Sequence, residues 1–339
     1  KVSANWMAGC GDESQDVALF DSVKALTLET CADLGISIPV GKDSLSMRTR
    51  WKMGCDEHEV TSPMSVVISA FAPVIDARKT VTPQLQPDED SCLLLIDLGQ
   101  DKCRMGGSAL YQTYELLGNE APDLDSAKDL TGFFGAVQDL KKNSMIMAYH
   151  DRSDGGLFVT LSEMMFASHI GIDIDLRRKP RSLINFLFNE ELGAVIQVKN
   201  RHLNSVRKCF LKHGYTAILQ VIGGINTQGI FRIKQQRKVV FERSGLDLQR
   251  IWSETSYNIR KLRDNPDCAH QEYEAQLDPN NPGLSSEVGF KTTTKTTKKY
   301  LRIAAKPRIA ILREQGVNGH IEMAVAFHKA GFEAVDVHM

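Results

Sequence analysis

The sequence predicts a protein of α/β and α+β class, and three stretches carry that reading. Residues 145–149 (Met, Ile, Met, Ala, Tyr) are short and apolar enough for a buried strand. The turn His150-Asp151-Arg152-Ser153-Asp154-Gly155-Gly156 follows, and Leu157, Leu161, Met164 and Met165 then fall at helical spacing. Residues 92–98 are a second continuous apolar run, and Met105-Gly106-Gly107-Ser108 opens a helical pattern through Leu117 that Gly118 ends, with Ser108 read as its N-cap. Residues 308–312, 313–319, 321–330 and 333–337 read as strand, glycine loop, helix closed by Gly331, and strand: the βαβ opening of a doubly wound sheet. Helices alternating with strands in this way form layered α/β or α+β domains.

The other elements follow in chain order. Residues 16–34 place Val17, Phe20, Val23, Leu28, Cys31 and Leu34 on a helical period, with Gly35 where a C-cap belongs. A strand at 36–40 is expected to run into a polar turn, Gly41-Lys42-Asp43-Ser44. Beyond it Leu45, Met47, Thr49 and Trp51 alternate with polar residues as a half-buried strand. The turn is not a P-loop, which needs four residues between its first glycine and Gly-Lys-Ser/Thr and then a helix. Gly35 and Gly41 have five between them, and Asp43 replaces the hydroxyl residue. A Lys beside an Asp and a Ser can still position a phosphate or a substrate oxyanion, and a plain polar turn is the alternative. Residues 62–74 read as an apolar strand. The polar stretch 80–91, with Pro83, Pro87 and three acidic residues, is the first expected domain boundary.

Past the central turn the helix runs to about His169, and 172–176 alternate as a strand. Residues 188–193 lead into a strand at 194–198, and 203–213 are an amphipathic helix closed by Gly214. Strands at 217–222 and 230–233 complete a domain ending near Phe241. Glu190 and Glu191 read either as a solvated turn or as carboxylates facing the same cleft as Asp151. Residues 248–262 put Ile251, Trp252, Thr255, Ile259 and Leu262 on one helical face. Residues 264–306 are polar and proline-bearing and read as an inter-domain linker. The lysine-rich run 291–299 has no aromatic interleaving and belongs to that linker rather than to a nucleic-acid surface.

Composition sets the outer limits. At 339 residues and 42% hydrophobic, the chain is long enough for about two domains with real cores. Lys and Arg number 41 against 42 Asp and Glu, a net charge of -1, so no whole-chain basic field points to nucleic acid or membrane. Seven scattered cysteines without metal-ligand spacing read as reduced thiols of a cytoplasmic protein. No run approaches eighteen apolar residues, and both ends read as cut from a longer chain.

The central turn carries the chemistry. Free N–H groups at the start of a helix favour a phosphate, and in an open α/β sheet ligands bind at the carboxyl ends of strands. Two carboxylates there suggest a divalent cation with oxygen ligands, most simply magnesium carried in with a nucleotide. The alternative is that Ser153 or Asp154 caps the helix and the glycines make the turn.

Four motifs, in this order, resemble phosphoribosylformylglycinamidine synthase of the large, single-chain type: Ile38-Pro-Val-Gly-Lys-Asp-Ser-Leu-Ser-Met47, His150-Asp-Arg-Ser-Asp-Gly-Gly156, Phe188-Asn-Glu-Glu-Leu-Gly-Ala-Val-Ile-Gln-Val198 and Leu312-Arg-Glu-Gln-Gly-Val-Asn318. The resemblance implies the second half of a tandem aminoimidazole-ribonucleotide-synthetase-like synthetase. Residues 1–87 would be the remainder of its N-terminal subdomain and 88–245 its C-terminal subdomain. A helix and linker at 246–306 would lead to the first βαβ unit of a flavodoxin-like class I glutaminase domain at 307–339. The implied reaction converts formylglycinamide ribonucleotide to formylglycinamidine ribonucleotide, with ATP phosphorylating the amide oxygen and glutamine-derived ammonia displacing phosphate.

Residue by residue, the resemblance makes Asp151 a ligand of Mg2+ and Ser153 a nucleotide contact. Gly41, Lys42 and Ser44 align with a turn that touches nucleotide or substrate, although Lys42 stands where the small form of the enzyme has a metal-binding Asn. The family's other magnesium ligands are expected upstream of Lys1, and its glutaminase Cys, His and Glu downstream of Met339. None of the seven cysteines is then the nucleophile, and the chain alone is not expected to catalyse the full reaction without the missing halves of the polypeptide. Two functions stay open: a pocket where ATP is consumed, or a structural pocket holding ADP permanently, with which the ligand matching Asp151 is associated. A third, another member of the same superfamily such as a selenophosphate synthetase or a small-molecule kinase, is disfavoured by the unit at 308–337.

Overall fold

The computed structural model describes residues 1–339 except 177–179, 216–217, 279–280, 282, 290–304 and 315–316. The chain forms two compact units, Lys1–Pro279 and Asn280–Met339.

The first unit opens with a small sheet. Strand β1 (Val2–Met7) pairs parallel with β2 (Val40–Ser44) and antiparallel with β5 (Ser65–Ala70), while β3 (Arg48–Met53) and β4 (Asp56–Thr61) form a separate hairpin. The expected first helix divides into α1 (Glu13–Lys24), a π-helical stretch Ala25–Thr30, and α2 (Cys31–Leu34), ending at Gly35 with φ +64° as its C-cap. Two expectations are corrected here. The strand starts at Val40 rather than Ile36, so residues 41–44 are strand, not turn, because their backbone pairs with Ala4 to Met7 of β1. The strand expected from Leu45 begins at Arg48 and is exposed almost throughout, Trp51 lying against the ring of His58 rather than in a core.

The main body is a seven-stranded sheet in the order β12-β11-β8-β10-β6-β9-β7. Its strands are β6 (Ser91–Asp97), β7 (Ala148–Asp151), β8 (Gly171–Leu176), β9 (Gly193–Lys199), β10 (Ile218–Asn226), β11 (Ile230–Gln235) and β12 (Lys238–Ser244). Every adjacent pair is antiparallel except β11 with β8. The helices of this region are α3 (Ala109–Thr113), α4 (Ala127–Lys142), α5 (Gly156–Ser168), α6 (Leu183–Phe188) and α7 (Leu203–Lys212). Alternation along central β6 sends Leu93 and Leu95 to one face, packed with Leu157, Leu161 and Met164 of α5. The same alternation sends Leu94 and Ile96 to the other, packed with Ala136 and Leu140 of α4 and Val206 and Phe210 of α7. A strand buried on both faces reads as a continuous apolar run, as residues 92–98 did. Each such side chain contributes roughly 1.5–3 kcal/mol on burial.

Several boundaries differ from the sequence reading. The helix after Ser108 stops at Thr113 rather than Leu117, and the sixteen-residue α4 and the short α6 had no sequence expectation. Helix α8 (Gly245–Arg263) matches the expected span, but Ile251, Trp252, Ile259 and Leu262 of its apolar face are exposed. The segment read as linker from residue 264 starts instead with α9 (Pro266–Ala275), because Asn265 caps the N–H groups of Asp267 and Cys268 and Pro266 presets the first turn. Tyr273 of α9 stacks on Tyr257 of α8 at 4.5 Å.

In the second unit β13 (Arg308–Arg313) and β14 (Glu333–His338) pair parallel, joined by α10 (His320–Ala330) with Gly331 at φ +99° as its C-cap, which is the expected βαβ. Ala217 of the expected strand at 217–222, Gln315 and Gly316 of the glycine loop, and the run 291–299 lie outside the described residues. Among the described residues no helix is long and apolar enough to cross a membrane.

Candidate functional site

The central turn lies at one end of the seven-stranded sheet, where β6 and β7 finish and β9 begins: Asp97 faces Gly193 in register, and Asp151 faces Ala194. Since β7 is an edge strand antiparallel to β9, the expectation drawn from parallel sheets does not place this site. Chain ends alternate around an antiparallel pair, and the site is built instead from both ends at once.

A buried ion pair pins the turn. The Arg152 side chain donates through Nη2 to Asp97 Oδ1 at 2.5 Å and to the Leu192 carbonyl at 3.0 Å, and through Nε to the Glu191 carbonyl at 2.5 Å. Asp97 also accepts the N–H groups of Gly99 and Asp101, so the pair is satisfied on both sides. The Arg152 N–H donates to the Gly193 carbonyl at 2.9 Å. A Cβ on Gly193 would lie 2.3 Å from the Ile96 carbonyl oxygen, so this close approach requires glycine.

The two glutamates are the clearest departure from the sequence reading. A solvated turn is ruled out for Glu191, which is 1% exposed and accepts Arg104 Nε at 2.8 Å and Nη2 at 2.7 Å. Arg104 also reaches Asp125 at 3.0 Å, and these carboxylates hold its guanidinium above its ordinary pKa, Glu191 foremost. Burial, followed by the Asp97 carboxylate, pushes the neighbouring Cys103 thiol up to about 11. Glu190 turns to the motif itself: its Oε1 accepts the Gly155 N–H and the Ala109 N–H, both at 2.8 Å. One carboxylate thus ties the starts of α5 and α3 together.

That arrangement corrects the capping alternative. The N-cap of α5 is Gly155, with φ +78° and no side-chain cap, and neither Ser153 nor Asp154 takes that role. Ser108 does cap α3, accepting the Tyr111 N–H. At the start of α5 the Gly155 N–H is taken by Glu190 and the Gly156 N–H by the Ser153 carbonyl at 2.9 Å, so these two are not free for an anion. Gly156, at φ +65°, lies so close to residues 187–189 that a Cβ would be 2.4 Å from the Asn189 carbonyl oxygen.

Asp151 is the last residue of β7 and is exposed, as are Ser153 and Asp154. The Tyr149 hydroxyl donates to Asp151 Oδ1 at 2.6 Å, and burial, reinforced by this bond, raises the Tyr149 pKa. Thr160 Oγ1 and Ser153 Oγ donate to the Asp151 carbonyl at 3.3 and 3.5 Å. His150 Nε2 lies 3.0 Å from Glu163. A solvent-facing carboxylate held by one hydroxyl fits a hard cation, since magnesium takes one or two carboxylates and completes its shell with water and phosphate oxygens. Among the described residues Asp151 joins no cluster of three side-chain ligands.

Gly41, Lys42 and Ser44 stand elsewhere. They lie on β2, an edge strand, where Lys42 Nζ donates to Ser44 Oγ at 2.5 Å. Among the described residues no side-chain hydrogen bond or ion pair joins them to residues 150–156. A cleft of about 1010 Å³ includes Lys102, Arg104, Arg181 and Arg207 in its lining, but not Asp151 or Ser153. Sequence reasoning missed the partnership of Arg152 with Asp97 and of Glu190 with Gly155. The only local signal was an arginine and two glutamates set among apolar runs.

Three family models match the chain. They are the FGAR-AT PurM_N-like domain over residues 1–73, the AIR synthase related protein C-terminal domain over 90–234, and the CobB/CobQ-like glutamine amidotransferase domain over 306–339. Among solved structures, T. maritima PurL complexed with FGAR aligns at a TM-score of 0.51 and 12% identity, covering 73% of this chain and 39% of that one, which is a likeness of fold. T. maritima PurL complexed with ATP aligns at 0.48 and 10% identity over 72% of this chain and 36% of that one. E. coli HypE aligns at 0.47 and 18% identity over 72% and 71%. The chain spans well under half the length of the PurL chains it matches. The order of the three domains bears out the resemblance drawn from the four motifs.

Proposed function

We propose, from the premise that this chain belongs to the phosphoribosylformylglycinamidine synthase family, that it serves the ATP-dependent amidation of formylglycinamide ribonucleotide by holding a magnesium nucleotide at the carboxyl end of β7. Ammonia from glutamine would be supplied through the domain that residues 307–339 begin. Synthetase subdomains are proposed at 1–87 and 88–245, with 246–306 connecting them to that domain. Such an enzyme works in the cytoplasm on small molecules.

The observation that carries the reading is Asp151 itself: an exposed carboxylate at a strand end, directly before a turn whose backbone is fixed by the Arg152–Asp97 pair. In this reading Asp151 ligates the magnesium and Ser153 contacts the nucleotide. Gly41, Lys42 and Ser44 are assigned a secondary contact to nucleotide or substrate. Magnesium, when bound, neutralises phosphate charge. The chain's own contribution is positional: Arg152 locks the loop, Glu190 ties the starts of α5 and α3 together, and Tyr149 orients the Asp151 carboxylate. A carboxylate fixed in this way loses little freedom on binding. The nucleotide is ADP held as part of the fold rather than ATP undergoing turnover.

The test is the ADP and magnesium content of the purified full-length enzyme after extensive dialysis. The parent should retain both, and Asp151→Asn should lower retention roughly ten- to a hundredfold, the usual scale of losses around a metal site. Unchanged content in the variant would remove Asp151 from the site.

A further inference from the structure

On the opposite face of the sheet from α5, helices α4 and α7 bring together a second set of ligand atoms that the proposed reaction does not use. Cys209 and His213 are four residues apart across the last turn of α7, so both project from one side of it. Asp139 meets them from α4, with His213 Nε2 at 2.8 Å from Asp139 Oδ2. The thiol, imidazole and carboxylate atoms all lie within 4.8 Å of one another, and all three residues are partly exposed.

Two glycines one turn apart on α4 allow this approach. A Cβ on Gly132 would lie 2.7 Å from the His213 carbonyl oxygen, and one on Gly135 would lie 2.6 Å from His213 Nδ1. With Asp139, these residues form one stripe along α4, against which the His213 ring lies within reach of the carboxylate.

We propose that Asp139, Cys209 and His213 form a zinc site with an open fourth position. One sulfur, one imidazole nitrogen and one carboxylate oxygen make a donor set zinc accepts, and three protein ligands plus water is its usual open arrangement. Tetrahedral bonds to such donors separate the ligand atoms by about 3.5 Å, so side-chain movements of about an ångström assemble the site. On binding, the Cys209 thiol releases its proton to solvent and the sulfur coordinates as thiolate. The His213 Nε2 lone pair takes the metal with the ring proton on Nδ1, and the existing bond from His213 to Asp139 is replaced by two bonds to zinc. Lys212, whose Nζ is 3.4 Å from Asp139 Oδ2, must release that oxygen or leave the other one to the metal.

Cobalt(II) titration of the metal-free protein tests this directly. One equivalent should produce a sulfur-to-cobalt charge-transfer band, which excess zinc should erase, and Cys209→Ser should abolish the band. To separate loss of the ligand from a disturbed helix pair, the parent is also alkylated with and without zinc and mapped by mass spectrometry. Zinc should protect Cys209 selectively over the exposed Cys10, Cys55 and Cys268. Absence of the band, its persistence in Cys209→Ser, or equal alkylation of Cys209 with and without zinc would each overturn the proposal and leave the three residues as a polar clamp between helices.

Discussion

Residues 41–44 and 150–156 are both short, polar, glycine-containing stretches beside apolar runs, yet the fold treats them in opposite ways. The first becomes an exposed edge strand whose lysine, among the described residues, finds only the serine two residues away. The second is fixed by a buried arginine, a buried aspartate and a glutamate from a distant loop. The difference lies in the surroundings, not in the motifs: a turn becomes a preorganised site only where other segments supply the charges that hold its backbone.

The largest way to break that contrast is to remove the pin. Arg152→Leu removes the counter-charge of the buried Asp97, which should cost about 3–5 kcal/mol in denaturant unfolding. Gly156→Ala comes next. Alanine at a positive φ costs about 1–2 kcal/mol before the contact with the Asn189 carbonyl is relieved, so the melting temperature should fall by at least that equivalent. At the small end, Lys42→Ala on its exposed edge should change unfolding free energy by no more than about 0.5 kcal/mol. An Arg152 variant as stable as the Lys42 variant would erase the distinction between the two stretches.

These contrasts also show what the sequence could and could not disclose. Gly35, Gly214 and Gly331 marked helix ends correctly because a left-handed C-cap is a local requirement. Residues 92–98 announced a doubly buried strand because both faces needed apolar side chains. The βαβ at the chain's end was legible for the same reason, its periods changing cleanly from strand to helix and back. Helix α4 escaped notice because its buried face is built from Gly132, Ala136 and Leu140, too small and too few to stand out. The role of Glu190 was hidden because its partners, Gly155 and Ala109, are 35 and 81 residues away, and no local pattern encodes a carboxylate shared between two helix starts. Asp151 and Ser153 could be named from the motif, but their exposure depends on pairings between β6, β7 and β9 that only the assembled sheet determines.

The measurement that bears most directly on the central claim is thermal unfolding of the full-length enzyme and its Asp151→Asn variant, each with and without excess ADP and magnesium, alongside turnover. A ligand to a nucleotide held by the folded state stabilises that state by mass action. The variant should therefore melt below the parent, recover part of the difference when ADP and magnesium are added, and lose activity only as a consequence. The opposite result is a variant that melts with the parent, keeps its nucleotide and loses turnover a hundredfold, about 2.7 kcal/mol of transition-state stabilisation. That outcome would make the turn at 150–156 a catalytic pocket and contradict the structural role assigned to it.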